Sequence, residues 1–367
     1  MTAQAAVCPT CAAPITSGDA FCEACGHELR PTGTGLSAVA VAPEPTASAG
    51  DGQSDQQRTH RVVPGGRAAP APCALCGAEV ADDGFCTVCG AKAQSRRDHW
   101  TESPSEWVGG VCDKGISHAR NEDAMALAST PDRSFAVMVV CDGVTTAPDS
   151  DRASLAASRE ACALVAAAAR PTGSFASRLT EWQSVLAAAC AEGNAQAVAI
   201  AHALGDPDEP PSSTFVAAVR ADDMIVVAWC GDSRAYWLAD DPAHSEQLSI
   251  DHSLGTEMIR DGRTREEAEA DPTCHTITRW LGADSIDPTS EFRALSIDRP
   301  GWLAVISDGM WNYASTTVEL EALIARAMAD GATNPTAIAE SLAGYANGCG
   351  GHDNITVALA RCEPALP

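Results

Sequence analysis

Cations are scarce in this sequence: 24 Lys and Arg face 49 Asp and Glu across 367 residues, a formal charge of −25. Proteins that track a nucleic-acid backbone draw affinity from Lys and Arg displacing counterions, so no nucleic-acid partner is expected. Long apolar runs are missing as well, with nothing near the roughly 18 residues that read as a membrane span. The first residues, MTAQAAVCPTCAAP, have neither the basic start nor the apolar core of a signal sequence. The expectation is a soluble, cytoplasmic protein without a membrane partner. Wholesale disorder is excluded by a composition of 45% hydrophobic and 20% charged residues, near globular averages. At about 150 residues per domain, the length implies two to three domains.

What is present divides sharply. Residues 1 to 100 carry 7 Lys/Arg and 10 Asp/Glu, leaving 17 and 39 on residues 101 to 367, so the acidity belongs to the C-terminal part. Eight of the 16 cysteines lie in the first quarter as CPTC (Cys8, Cys11), CEAC (Cys22, Cys25), CALC (Cys73, Cys76) and CTVC (Cys86, Cys89). Two CxxC turns supply four thiolates for a tetrahedral zinc at Zn–S distances of about 2.3 Å. Gly26, Gly77 and Gly90 directly follow Cys25, Cys76 and Cys89, where a left-handed backbone angle is easiest for glycine. A disulfide framework is the alternative, but a cytosol keeps such thiols reduced. Units of about 20 residues bury too little apolar surface to fold alone, so two Zn²⁺ would stabilise them. This part resembles a double zinc ribbon, which implies a structural or docking role. The expected layout is a first ribbon over 1–28, a flexible Pro/Gly/Ser-rich linker over 29–70, a second ribbon over 71–93, a further linker over 94–105 and one large domain over 106–367.

In the large domain, FAVMVVC (135–141), TFVAAV (214–219), MIVVAWC (224–230), WLAVIS (302–307) and ITVALA (355–360) read as buried strands. Helices are expected over 153–170, 178–203, 318–330 and 335–347, with Pro171 and Pro335 where helices stop or start. Helices grouped between runs of strands favour layered α+β over a doubly wound sheet.

Chemistry-bearing residues fall where these strands end. Asp142-Gly143 follows FAVMVVC, Asp308-Gly309 follows the strand WLAVIS, and Asp353-Asn354 precedes ITVALA; Asn121-Glu122-Asp123 adds an acidic pair upstream. Any one of these is a common turn signal. Together, Glu122, Asp142, Asp308 and Asp353 bring four negative charges that two hard dications would balance, and such ions take oxygen ligands.

The ordered series GISHARNEDA (115–124), VVCDGV (139–144), SSTFVAAV (212–219), CGDSRAYWL (230–238), DHSLGTEMI (251–259), TRWLG (278–282), ISDGMWNY (306–313) and GGHDNITVAL (350–359) resembles the protein phosphatase 2C family of metal-dependent serine/threonine phosphatases. The resemblance implies a β-sandwich of two antiparallel sheets flanked by helices, with a binuclear Mn²⁺/Mg²⁺ centre at one edge. It implies that Asp142 bridges both ions, that Asp308 and Asp353 complete one, and that Glu122 with the Gly143 carbonyl completes the other. In such a site a bridging water deprotonates near neutral pH and attacks phosphorus in line. Asp142, Asp308 and Asp353 are thus the expected catalytic residues, and phosphorylated Ser/Thr proteins from a cognate kinase pathway the expected partners.

The chain departs from the family at three places. The position of the phosphate-binding arginine, five residues before Asp123, holds His118, with Arg120 two residues on; these two are the expected phosphate contacts. Val144 stands where some members carry a histidine general acid, and Pro210-Pro211 occupy the spot expected for a third-metal aspartate, so no third ion is expected despite Asp208 and Glu209. The segment 251–282 resembles the mobile flap of bacterial members, while Trp302 and Trp311 read as packing. Scattered cysteines such as Cys141 and Cys230 end apolar strands, which argues against a cysteine nucleophile. His118 and Val144 motivate the alternative of a pseudophosphatase that binds phosphoproteins without turnover; a zinc-ribbon nucleic-acid protein is a weaker third reading.

Overall fold

Every residue of FAVMVVC is buried, yet its side chains serve two different layers. Ala136, Met138 and Val140 join one core, whereas Phe135, Val137, Val139 and Cys141 join another. Strand side chains alternate faces, so a strand covered on both sides reads as a continuous apolar run with no visible period of two. The structure, a computed structural model, describes residues 76–81, 85–90, 93, 95–145, 147–264, 267–268 and 270–364. Expectations for Cys8, Cys11, Cys22, Cys25, Cys73 and the 29–70 linker lie outside these residues. The chain divides into two units, 1–94 and 95–367, each described by itself.

The strands of the larger unit are β1 (His99–Ser105), β2 (Val108–Asp113), β3 (Ala124–Ser129), β4 (Phe135–Cys141), β5 (Ser212–Ser213), β6 (Phe215–Ala221), β7 (Met224–Cys230), β8 (Arg234–Ala239), β9 (Glu246–Gln247), β10 (Leu281–Gly282), β11 (Glu291–Ser296), β12 (Gly301–Ile306) and β13 (Ile355–Cys362). Its helices are α1 (Ser150–Ala167), α2 (Phe175–Ala203), α3 (Leu254–Arg260), α4 (Asp308–Trp311), α5 (Thr317–Ala329) and α6 (Pro335–Gly348). Two large antiparallel sheets form, in the orders β1-β2-β13-β12-β8-β9 and β11-β7-β6-β4-β3, and β5 pairs separately with β10.

Three apolar cores separate four layers. Met138, Val216, Ile225, Val305 and Ala358 meet between the sheets. On the outer face of the second sheet, Val137, Val139 and Ala217 meet Ala157, Ala161, Trp182 and Leu186 of α1 and α2. The outer face of the first carries Ala304, Ile306 and Leu359 against Leu320, Ile324 and Ile338 of α5 and α6. The result is the expected α-β-β-α sandwich. Among the described helices α2 alone has the length and apolarity to cross a membrane; Trp182, Leu186, Ala189 and Cys190 on it are buried in the core just named.

One boundary is corrected. The linker expected over 94–105 carries β1, which pairs antiparallel with β2 from His99↔Asp113 to Ser105↔Val108. HWTESPS is a polar edge strand, exposed or half-buried throughout, so it lacks the apolar run by which the inner strands are recognised. The strands β2, β3, β8 and β11 also lie outside the expected set, because none has a run of β-branched residues. In the smaller unit, a bridge joins Val80 and Cys86, and Thr87 donates its backbone N–H to the Glu79 carbonyl at 3.0 Å.

Candidate metal centre

The register of the sheets brings the acidic dipeptides to one edge of the sandwich. Ala124↔Cys141 sets the residues before β3 beside those after β4, and Ile306↔Val357 sets the end of β12 beside the start of β13. Asp123 joins the two sheets: its Oδ2 accepts from Ser307 Oγ and Thr356 Oγ1, each at 2.7 Å. Asn354 adds a second tie, accepting from the Glu122 N–H at 2.7 Å and donating to the Lys114 carbonyl at 2.8 Å. Asp142 is held from its own sheet, its N–H donating to Thr214 Oγ1 at 3.0 Å while its carbonyl accepts from the Thr214 N–H at 2.7 Å. Glu122, Asp142, Asp308 and Asp353, far apart in sequence, therefore stand on neighbouring strand ends.

Two glycines allow that approach. A Cβ on Gly143 would lie 2.7 Å from the Glu122 carbonyl oxygen and 2.9 Å from that of Ser150; one on Gly309 would lie 1.9 Å from the Asn354 carbonyl oxygen. Backbone packs against backbone here, so the residue after each aspartate has no room for a side chain.

The electrostatics are those of a crowded carboxylate cluster. Burial first, then the charges of Asp123, Asp308 and Asp353, push Asp142 well above the ordinary carboxyl range. Asp308 moves the same way through burial and the charges of Asp353, Asp232 and Asp123. Burial pushes Asp123 and Asp232 each up to about 7, and it raises Glu122 and Asp353 against the pull of Arg120 and His118. Asp308 Oδ1 and Asp123 Oδ1 are buried with no hydrogen-bond partner among the described residues. A buried carboxylate oxygen without donor or counterion is costly, and an oxygen-rich, negatively charged, partly unsatisfied pocket is the donor set that hard divalent cations take. The residues fit Mn²⁺ or Mg²⁺.

The available cations sit on two of these acids. Arg120 donates Nε and Nη2 to Glu122 Oε1 at 3.0 and 2.7 Å, and His118 Nε2 lies 3.2 Å from Asp353 Oδ1. Both expected phosphate contacts are thus at the site. Asp208 and Glu209 line a cavity of about 280 Å³ together with Val144, Ala147 and Trp280. Trp311 packs as expected, its indole N–H donating to the Asp232 carbonyl at 3.0 Å and its ring stacking under Arg234. Cys141 and Cys230 are fully buried, and burial pushes the Cys230 thiol up to about 12, as a packing role requires.

Asp123 carries no role of its own among the sequence expectations, and Asp232, Asn354 and Arg97 are not among the expected site residues. Asp123, Asp232 and Asn354 lie within the quoted motifs RNEDA, CGDSR and HDNIT, so the signal was present. Arg97 gave none, because its segment read as linker.

In the smaller unit, Cys76, Cys86 and Cys89 present sulfurs within 4.8 Å of one another, with Cys76 Sγ 3.4 Å from Cys86 Sγ and 3.5 Å from Cys89 Sγ. A tetrahedron with 2.3 Å bonds has edges of about 3.8 Å, so the three sulfurs are spaced close to three corners of such a tetrahedron. The backbone N–H groups of Cys89 and Val88, both aimed at its sulfur, pull the Cys86 thiol down to about 6. Gly77 and Gly90 both adopt φ +71°, the left-handed angle expected after each cysteine.

Comparison with known proteins gives two family matches: a protein phosphatase 2C model over residues 115–343 and a double zinc ribbon model over residues 8–90. Protein phosphatase PhpP of Streptococcus pneumoniae is 36% identical over 143 residues, 38% of this chain and 53% of that protein, so the chain spans about half the length of this relative. Serine/threonine phosphatase stp of Listeria welshimeri is 30% identical over 254 residues, 68% of this chain and 93% of its own. Among solved structures, the Mycobacterium tuberculosis serine/threonine phosphatase PstP/Ppp superposes with a TM-score of 0.56 at 23% identity, covering 70% of this chain and 98% of that one.

Proposed function

Because this chain belongs to the protein phosphatase 2C family, we propose that it hydrolyses phosphoserine and phosphothreonine in proteins with the help of two Mn²⁺ or Mg²⁺ ions. The observation that carries this reading is the buried Asp308 Oδ1, left without a donor inside a cluster of acids whose proton affinities are raised. Asp142, with Asp308 and Asp353, would hold one ion; Asp142 with Glu122 and the Gly143 carbonyl would hold the other. Bound there, the ions supply Lewis acidity, neutralising phosphoryl charge and lowering the pKa of coordinated water.

The chain's own residues do the rest. Asp123, fixed by Ser307 and Thr356, keeps the two sheet edges at constant separation, so the ligands are preorganised. Arg120, half-exposed at the mouth, is placed to receive a phosphoryl oxygen through the nitrogens that now rest on Glu122. His118 would donate a hydrogen bond to the same group. No histidine follows Gly143, so the leaving alkoxide would take its proton from water or from another group. The two ribbons would each hold one Zn²⁺ through four cysteines and serve to dock the enzyme on a client or location, in a cytoplasmic pathway with a cognate serine/threonine kinase.

Hydrolysis of p-nitrophenyl phosphate with Mn²⁺, comparing the wild type with Asp308→Asn, tests the reading. The variant should lose at least a hundredfold in rate; equal rates would remove the proposal.

A further inference from the structure

We propose that Arg97, in the segment joining the ribbons to the phosphatase fold, is a positioning residue that holds the Glu122 loop in its metal-binding shape. The inference rests on the two-metal reading only for what Glu122 binds; the mechanical part stands on the hydrogen bonds.

In Asn121-Glu122-Asp123 the middle carbonyl and the two flanking ones go to different partners. The Glu122 carbonyl accepts from the Gly143 N–H at 3.2 Å and from Ser154 Oγ. The flanking carbonyls go to Arg97: Nη2 donates to Asp123 at 2.8 Å and to Asn121 at 3.4 Å, while Nη1 donates to the Asp151 carbonyl in the first turn of α1 at 2.7 Å. Asn121 returns the contact, its side-chain amide donating to the Arg97 carbonyl at 2.8 Å. The guanidinium also lies over the Trp100 ring, 5.4 Å from its centroid. One side chain thus ties the Glu122 loop, the start of α1 and the edge strand β1 together.

A fixed fork of donors on three carbonyls is something lysine cannot reproduce, since its single ammonium has no planar geometry. Asn121 and Asp123 are buried, so losing Arg97 leaves their carbonyls short of a donor and the segment free to rotate. Glu122 then loses orientation although nothing in direct contact with its carboxylate has changed. Arg97 belongs to the larger unit, close to its first residue.

The test uses the full-length, zinc-loaded chain and reads Mn²⁺ binding by calorimetry alongside amide exchange of residues 120–124 in the protein without Mn²⁺. Arg97→Gln should weaken the weaker of two Mn²⁺ events at least tenfold and speed exchange of the Glu122 amide by a similar factor. Arg97→Lys should recover part of both. At saturating Mn²⁺, KM for p-nitrophenyl phosphate should stay within twofold, placing the defect in metal binding. Arg220→Gln is the control: Arg220 is a buried arginine that also donates to backbone carbonyls, those of Arg133 and Glu363. It should lower thermal stability yet leave Mn²⁺ affinity within twofold. Unchanged Mn²⁺ affinity and exchange in Arg97→Gln, or an equal loss in Arg220→Gln, would overturn the proposal. A wild type that binds no Mn²⁺ would instead sink the two-metal reading, while the exchange comparison still decides whether Arg97 holds the loop.

Discussion

At the scale of single residues, the acids at the centre are set by their polar neighbours as much as by their own charges. Asn354 shows this most clearly, being buried and spending its amide on three backbone groups, the Glu122 N–H and the Lys114 and Arg120 carbonyls. Asn354→Ala leaves a buried N–H unpaired, which costs about 1–3 kcal/mol, and it releases Glu122 from the first sheet. Thermal unfolding should show that loss, and Mn²⁺-dependent hydrolysis should fall more than tenfold. A variant that is less stable yet fully active would show that Asn354 only supports the fold. Gly309 is a stricter case. A Cβ there would lie 1.9 Å from the Asn354 carbonyl oxygen, closer than any side chain tolerates, so Gly309→Ala must push Asp308 away from β13. Overpacking of this kind costs about 1–3 kcal/mol, and the expected result is a lowered melting temperature with hydrolysis reduced more than tenfold.

At the scale of elements, what was legible followed from chemistry that acts locally. The buried strands β4, β7, β12 and β13 announced themselves as β-branched runs, and Pro335 marked the first turn of α6, where its missing N–H costs nothing. α5 begins with a reciprocal cap: Thr316 accepts from the Glu319 N–H at 3.3 Å while Glu319 Oε2 accepts from the Thr316 N–H at 3.0 Å. Thr316→Ala should therefore cost about 1 kcal/mol, measured by denaturant unfolding, without changing turnover, since α5 packs on the outer face of the first sheet and Thr316 makes no contact with the acids of the site among the described residues. A change in turnover without a change in stability would contradict that placement. The elements that escaped notice lacked a local signature. β2 reads VGGVCD because Gly109 and Gly110 pack against Thr336 and β13, a tertiary demand no window of sequence displays. β1 is polar because it lies on an edge, and its exposed side chains resemble those of a linker. The acidic motifs were visible for the opposite reason: aspartate just past an apolar run stands out in the chain itself. What stayed hidden were the supports, Arg97 above all, whose partners lie 24 to 54 residues away.

At the scale of the whole molecule, the acids act on stability through the protons they hold. Asp123 and Asp232 are raised from 3.8 to about 7, mainly by burial. A folded-state pKa above the unfolded one means that the folded chain keeps protons the unfolded chain has already released. The associated stability is fully present below about pH 4 and is lost as pH rises through about 7. Without Mn²⁺ or Mg²⁺, the larger unit should therefore melt several degrees lower at pH 7.5 than at pH 5.5. General self-repulsion among the surplus acids of residues 101–367 acts in the same direction, so the cluster must be separated from it. Asp232→Asn does that, removing one titrating group from the buried set and leaving the surface unchanged; it should flatten the dependence between pH 5.5 and 7.5 by a measurable fraction. Saturating Mn²⁺ should flatten it further, because a dication satisfies the carboxylates that protons otherwise satisfy, and ligand binding to the folded state alone raises its stability. Differential scanning calorimetry on the zinc-loaded chain, with and without Mn²⁺ across this range, reads all three effects. A melting temperature that rises with pH in the absence of Mn²⁺ would mean the buried acids are already satisfied by other groups, and the electrostatic case for a two-ion site would fall with it.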